Sequence, residues 1–127
     1  MDVNRRAYYR VSLRLAEARL TGICEGRASR FVVRVVDLSG GGSLVLSPRA
    51  LTVGDAVRLH LPPADGFRGQ DLPGRVVRIE QIGKNWHIAM QFTSLSEAAR
   101  DQVIRRVNFE ELRSLAGFTR SLRPTGS

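Results

Sequence analysis

Two short stretches hold residue types that could do chemistry together. One is Arg5-Arg6-Ala7-Tyr8-Tyr9-Arg10, the other Asp37-Leu38-Ser39-Gly40-Gly41-Gly42. Arg6 and Arg10 lie four apart, and an extended segment leading into a strand could swing both guanidinium groups over one ligand. Arginine grips a phosphate, or O6 and N7 of guanine, through two parallel hydrogen bonds. Aspartate accepts from guanine N–H groups, serine adds a hydroxyl, and the bare amides at Gly41 and Gly42 let an anion come close. Together they suit a flat, anionic, purine-bearing ligand. Each stretch also has a plainer reading, as a solvated basic tail and as an Asx or ST turn shaping a hairpin. The spacing R-x-x-x-R decides nothing alone: Arg6/Arg10, Arg10/Arg14 and Arg30/Arg34 all show it, and chance placement gives about three. D-x-S-x-x-G is more specific, with a chance expectation of about 0.04.

Other chemistries fail on their own requirements. A phosphate-cradling P-loop needs Lys-Ser/Thr after its last glycine and a helix to follow, whereas Ser43-Leu44-Val45-Leu46 continues as a strand. The dinucleotide fingerprint lacks both its glycine spacing and a βαβ unit. A nucleophile elbow would need glycine two residues before Ser39, and that position is Asp37. His60 and His87 fall on the outward phase of their strands with no carboxylate or cysteine at ligand spacing, and read as surface histidines. With no convergent acid, base and nucleophile, the chain reads as non-catalytic, with neither metal nor cofactor.

The composition fits one compact domain. The 127 residues are 43% hydrophobic and 25% charged, and no apolar run approaches the length of a membrane span. Asn4-Arg5-Arg6 is not followed by the apolar core of a signal peptide, so a cytoplasmic location without membrane insertion is expected. Cys24 is the only cysteine and excludes an intrachain disulfide. The net charge of +8 rests on nineteen arginines and one lysine, Lys84. Such a bias suits phosphate and guanine recognition but also follows from genome composition alone, so position has to decide.

The elements that must hold the two stretches read mainly as strands. Val11-Ser12-Leu13-Arg14-Leu15 alternates at period two, and the phase changes toward Ala16, Ala18 and Leu20 as at a bulge. Phe31 to Val36 and Leu44 to Leu46 form a strand pair around the glycines, and Val57, Leu59 and Leu61 mark another strand, stopped by Pro62-Pro63. After a loop, ADGFRGQDLPG, Val76 to Ile82 forms a strand turned by Gly83-Lys84-Asn85. Trp86, Ile88, Met90 and Phe92 give the cleanest alternation, with Trp86 on the inward phase. About six short strands predict an antiparallel barrel. Ser94-Leu95-Ser96-Glu97 fits a capping box, and Leu95, Ala99, Val103 and Val107 fall at helical spacing, predicting one amphipathic helix of about 20 residues stopped at Gly117. The expected organisation is an arginine-rich ligand-binding segment over 1–10, a barrel with its closing helix over 11–117, and a tail over 118–127.

Arg6-x-x-x-Arg10, followed 27 residues after Arg10 by Asp37-x-Ser39-x-x-Gly42, resembles the two-part signature of PilZ domains, receptors for the bacterial second messenger cyclic di-GMP. The likeness extends to the six-stranded antiparallel barrel, to the late strand pair Gly74-Arg75-Val76-Val77 and Met90-Gln91-Phe92, and to the C-terminal α-helix packed on the barrel. It implies that Arg6 and Arg10 grip guanine and phosphate, that Asp37 and Ser39 read a guanine edge and the backbone, and that Gly42 leaves room for ligand. Arg5 stands where relatives that bind an intercalated ligand dimer carry a further arginine. The implied action is that of a receptor whose first ten residues order over the ligand and alter a surface for a downstream protein partner, in motility, polysaccharide export, pilus function or transcription. Two other readings are a ligand-independent adaptor and a basic nucleic-acid-binding barrel; against the latter, the strands lack interleaved exposed aromatics.

Overall fold

A computed structural model describes residues 18–24, 27–63 and 66–122. Seven strands, β1 (Arg19–Cys24), β2 (Arg27–Val32), β3 (Arg34–Leu38), β4 (Gly42–Ser47), β5 (Ala56–Leu61), β6 (Gln70–Ile82) and β7 (Asn85–Phe92), precede one helix, α1 (Glu97–Leu122). All strand pairings are antiparallel, in the order β2-β1-β5-β6-β7-β4-β3. The two ends of that order, β2 and β3, are joined in the chain by Val33 alone. A one-residue link cannot cross a flat seven-stranded sheet, since neighbouring strands lie about 4.8 Å apart. The sheet therefore curls until its edges meet, and the amide of Val33 donates to the carbonyl of Ala18 at that seam (2.9 Å).

The curl is filled by the side chains that the alternation assigns to one face. Leu20, Leu59, Val45 and Ile88 are wholly buried, Met90 and Phe92 nearly so, and Trp86 packs against them partly buried. Ala18 and Leu20 hold the inward phase expected of them, while the strand expected at Val11–Leu15 lies outside the described residues. Val103 and Val107 of α1 complete the core, each worth about 1.5–3 kcal/mol of apolar burial.

Four features differ from expectation. The run FVVRVV is two strands broken at Val33, which raises the count from six to seven. β6 begins at Gln70, inside the stretch read as a loop, because Leu72 is buried opposite Leu59. Its Pro73 stands where the β6–β7 ladder ends, so at most one bond, to Thr93, goes unmade. The residue's polar edge faces the end of β7, where its carbonyl accepts from Thr93 (2.9 Å). The helix cap is at Ser96 rather than Ser94: Ser96 Oγ accepts from the amide of Ala99 (3.1 Å), and Ser94, at φ 56°, turns the chain out of β7. Finally, α1 runs through Gly117 to Leu122; one glycine costs a helix about 1 kcal/mol but does not end it.

Candidate functional site

The glycine stretch is the tip of the β3–β4 hairpin, and Ser39 organises it. The Ser39 amide donates to the carbonyl of Gly42 (2.9 Å), and its Oγ accepts from the amides of Gly41 (3.2 Å) and Gly42 (3.3 Å). Ser39 is buried. The two glycine amides expected to face an anion thus turn inward on a serine hydroxyl, as an ST turn requires. The hairpin is tied to β7 as well, since the carbonyl of Gly41 accepts from the amide of Phe92 (2.9 Å). Gly42 is bare for a backbone reason: a Cβ there would meet the carbonyl oxygen of Met90 on β7 at 2.2 Å. The space that its missing side chain leaves is occupied by the neighbouring strand.

Asp37 reaches the outer wall through a bulge. Val35 is buried and pairs with Val45, and regular alternation would send Asp37 to the same inner face. The register shifts between Val35 and Asp37, so Val36 is the extra residue, Asp37 pairs with half-buried Leu44, and Leu38 takes the inner position. Ser43 Oγ donates to the carbonyl of Asp37 (2.7 Å) and fixes the strand just past the bulge.

A second bulge does the same on β6. Val76 pairs inward with Met90, the register shifts at Val77, and Arg78 pairs with Ala89 on the outer face. The two bulges set Asp37, Leu44, Ala89 and Arg78 in one row across β3, β4, β7 and β6, about 14 Å from end to end at ordinary strand spacing. The adjacent row runs Gly42, Gln91, Arg75. The result is a platform with a low floor, Gly42 and Ala89, a carboxylate at one end and two exposed arginines at the other. Arg75, Arg78 and Gln91 were not among the residues expected at the site. Their signal is a pair of phase breaks, Val35 to Leu38 and Val76 to Ile79, where inward apolar residues fall three apart instead of two.

Of the expected site residues, the structure brings together Asp37, Ser39, Gly41 and Gly42, while Arg5, Arg6 and Arg10 lie outside the described residues. His60 is more engaged than its surface reading implies. The β5–β6 register sets it opposite Asp71, whose Oδ1 is 2.5 Å from His60 Nδ1, and His60 Nε2 is 2.8 Å from Thr21 Oγ1. Among the described residues no group of three or more His, Cys, Asp or Glu could hold a metal ion, and no helix is long and apolar enough to cross a membrane.

The PilZ domain family matches residues 4–109, which include both sequence motifs. No curated protein matches the chain. Among solved structures it is similar to the PilZ domain of YcgR from Escherichia coli with c-di-GMP (19% identity over 88% of this chain and 98% of that one, TM-score 0.66). It is similar also to the K. pneumonia MrkH–c-di-GMP complex (15% identity, 89% and 55% covered, TM-score 0.70). The PilZ domain of CeSA from a cellulose synthesizing bacterium is 25% identical (81% and 98% covered, TM-score 0.54). The chain spans about half the length of MrkH.

Proposed function

Because this chain belongs to the PilZ domain family, we propose that it is a non-catalytic receptor for cyclic di-GMP and that the platform between Asp37 and Arg78 is where the dinucleotide lies. The observation that carries the reading is the bulge at Val36. It turns Asp37 from the core to the outer wall, where its carboxylate can accept from the N1–H and N2–H groups of a guanine. Arg75 and Arg78, opposite it on the same wall, offer planar forks to phosphate oxygens or to the guanine O6 and N7 edge. Leu44 and Ala89 give the base a floor low enough to lie on. Ser39, Gly41 and Gly42 serve the site by holding the hairpin's shape.

Arg6 and Arg10, preceding β1 in the same motif pair, close over the ligand from the other side, and Arg5 supplies the extra guanidinium that a second, intercalated ligand needs. Closure of residues 1–10 changes the surface offered to a downstream protein partner. Titration calorimetry with cyclic di-GMP is expected to give low-micromolar or tighter binding with two ligands per chain, and Arg10→Ala to abolish it. Folded protein that yields no heat at high ligand concentration overturns the reading; one ligand per chain removes the role of Arg5 and leaves the rest. Hydrogen exchange over residues 1–10 should slow on binding, and unchanged exchange would refute the closure.

A further inference from the structure

The outer wall carries a second recess, on the β1–β5–β6 side, that shares only Arg75 with the dinucleotide platform. It is a groove of about 260 Å³ whose polar lining is Thr21, Arg58, Arg75 and Thr93 and whose apolar lining includes Ala28, Ala56 and Pro73. Among the described residues no carboxylate lines it. The register explains its shape. Thr21, Arg58 and Pro73 stand in one outward row, Ala56 and Arg75 in another, and inward-facing Val57 and Gly74 between them leave only backbone as the floor. Two groups are already held in place. Arg75 Nη1 donates to the carbonyl of Gly54 (2.9 Å), which leaves four of its five N–H donors for a ligand. Thr21 is held by His60, which Asp71 holds in turn.

We propose that this groove is a binding site for a small organic oxyanion, a single negatively charged head on a compact apolar body, with Arg58 and Arg75 on the head and Ala28, Ala56 and Pro73 against the body. It does not rest on cyclic di-GMP binding elsewhere.

The test is an amide NMR titration of the whole chain with benzenesulfonate, one fixed negative charge on a compact apolar ring. Signals of Thr21, Gly22, Arg58, Gly74 and Thr93 are expected to move together and saturate, with Kd below about 1 mM. Arg58→Gln should weaken binding at least about tenfold, Arg34→Gln on the outer face of β3 should leave it unchanged, and inorganic sulfate, lacking the apolar body, should bind at least about tenfold more weakly. Shifts that do not saturate, that centre on residues 37–42, or that survive Arg58→Gln unchanged overturn the site.

Discussion

The β3–β4 hairpin and the corner where Pro62, Phe67 and Gln70 meet α1 are held by opposite means. In the hairpin, Ser39, Gly41 and Gly42 bond one another within three residues, and Asp37 and Ser43 are bonded six apart. At the corner, Arg106 Nη2 donates to the carbonyl of Pro62, 44 residues away (2.5 Å). The Arg106 guanidinium lies 5.8 Å from the centroid of the Phe67 ring, Phe67 meets Phe109 edge to face at 5.6 Å, and Gln70 Nε2 donates to the carbonyl of Ala99 (3.3 Å). Arg106 is 1% exposed, the one buried arginine among the described residues. One region carries the proposed ligand-facing chemistry on a locally specified turn; the other anchors the helix through contacts that exist only once the chain has folded. Changes at the corner should act on stability alone, and changes at the hairpin on stability and binding together.

The largest effect should come from Gly42→Ala. A methyl group 2.2 Å from the Met90 carbonyl cannot be relieved by a side-chain rotation, because the obstacle is the backbone of β7. The pair β4–β7 must separate, costing about 3 kcal/mol or more, and cyclic di-GMP binding should fall with it. Denaturant unfolding checks the first and calorimetry the second. A folded, fully stable variant that binds poorly would instead assign Gly42 to the ligand.

Arg106→Ala is expected to cost nearly as much, about 3 kcal/mol, through a lost charged hydrogen bond, a lost contact with Phe67 and a cavity under the helix. Its affinity for cyclic di-GMP should stay within about twofold of the parent, since about 1.4 kcal/mol of coupling would be needed for a tenfold change. A tenfold loss of affinity in a folded variant would join the two regions into one mechanism.

The same contrast explains what was legible in the sequence. The hairpin, the motif in it and the β7 alternation are encoded by neighbours, so Asp37, Ser39 and the Trp86–Phe92 phase could be read directly. The outward row could not, because bulges at Val36 and Val77 show only as a misfit in apolar spacing, and no residue type announces them. The break at Val33 is hidden inside a continuous β-branched run. Burial of Arg106 runs against its residue type and depends on Pro62 and Phe67. His60 and Asp71 are eleven apart and become partners only through the β5–β6 register. The resemblance assigns Gly42 to the ligand, and the structure adds a second reason for its bareness, the carbonyl of Met90.

Ser39→Ala separates the regions most finely. Its hydroxyl is the acceptor for the amides of Gly41 and Gly42, and both lose that partner when it is removed. The amides sit at a loop tip, where water can replace part of what is lost, so the stability cost should be about 1–1.5 kcal/mol, well below that of Gly42→Ala or Arg106→Ala. The effect on binding should be disproportionate. If the hydroxyl serves by holding the hairpin beside Asp37, Ser39→Ala should weaken cyclic di-GMP about tenfold, and Ser39→Thr, which keeps the oxygen, should recover most of the loss. Calorimetry on the two variants decides it. Equal losses would mean that the added methyl disturbs the site as much as the missing oxygen does, and the hairpin would then be a steric wall of the platform.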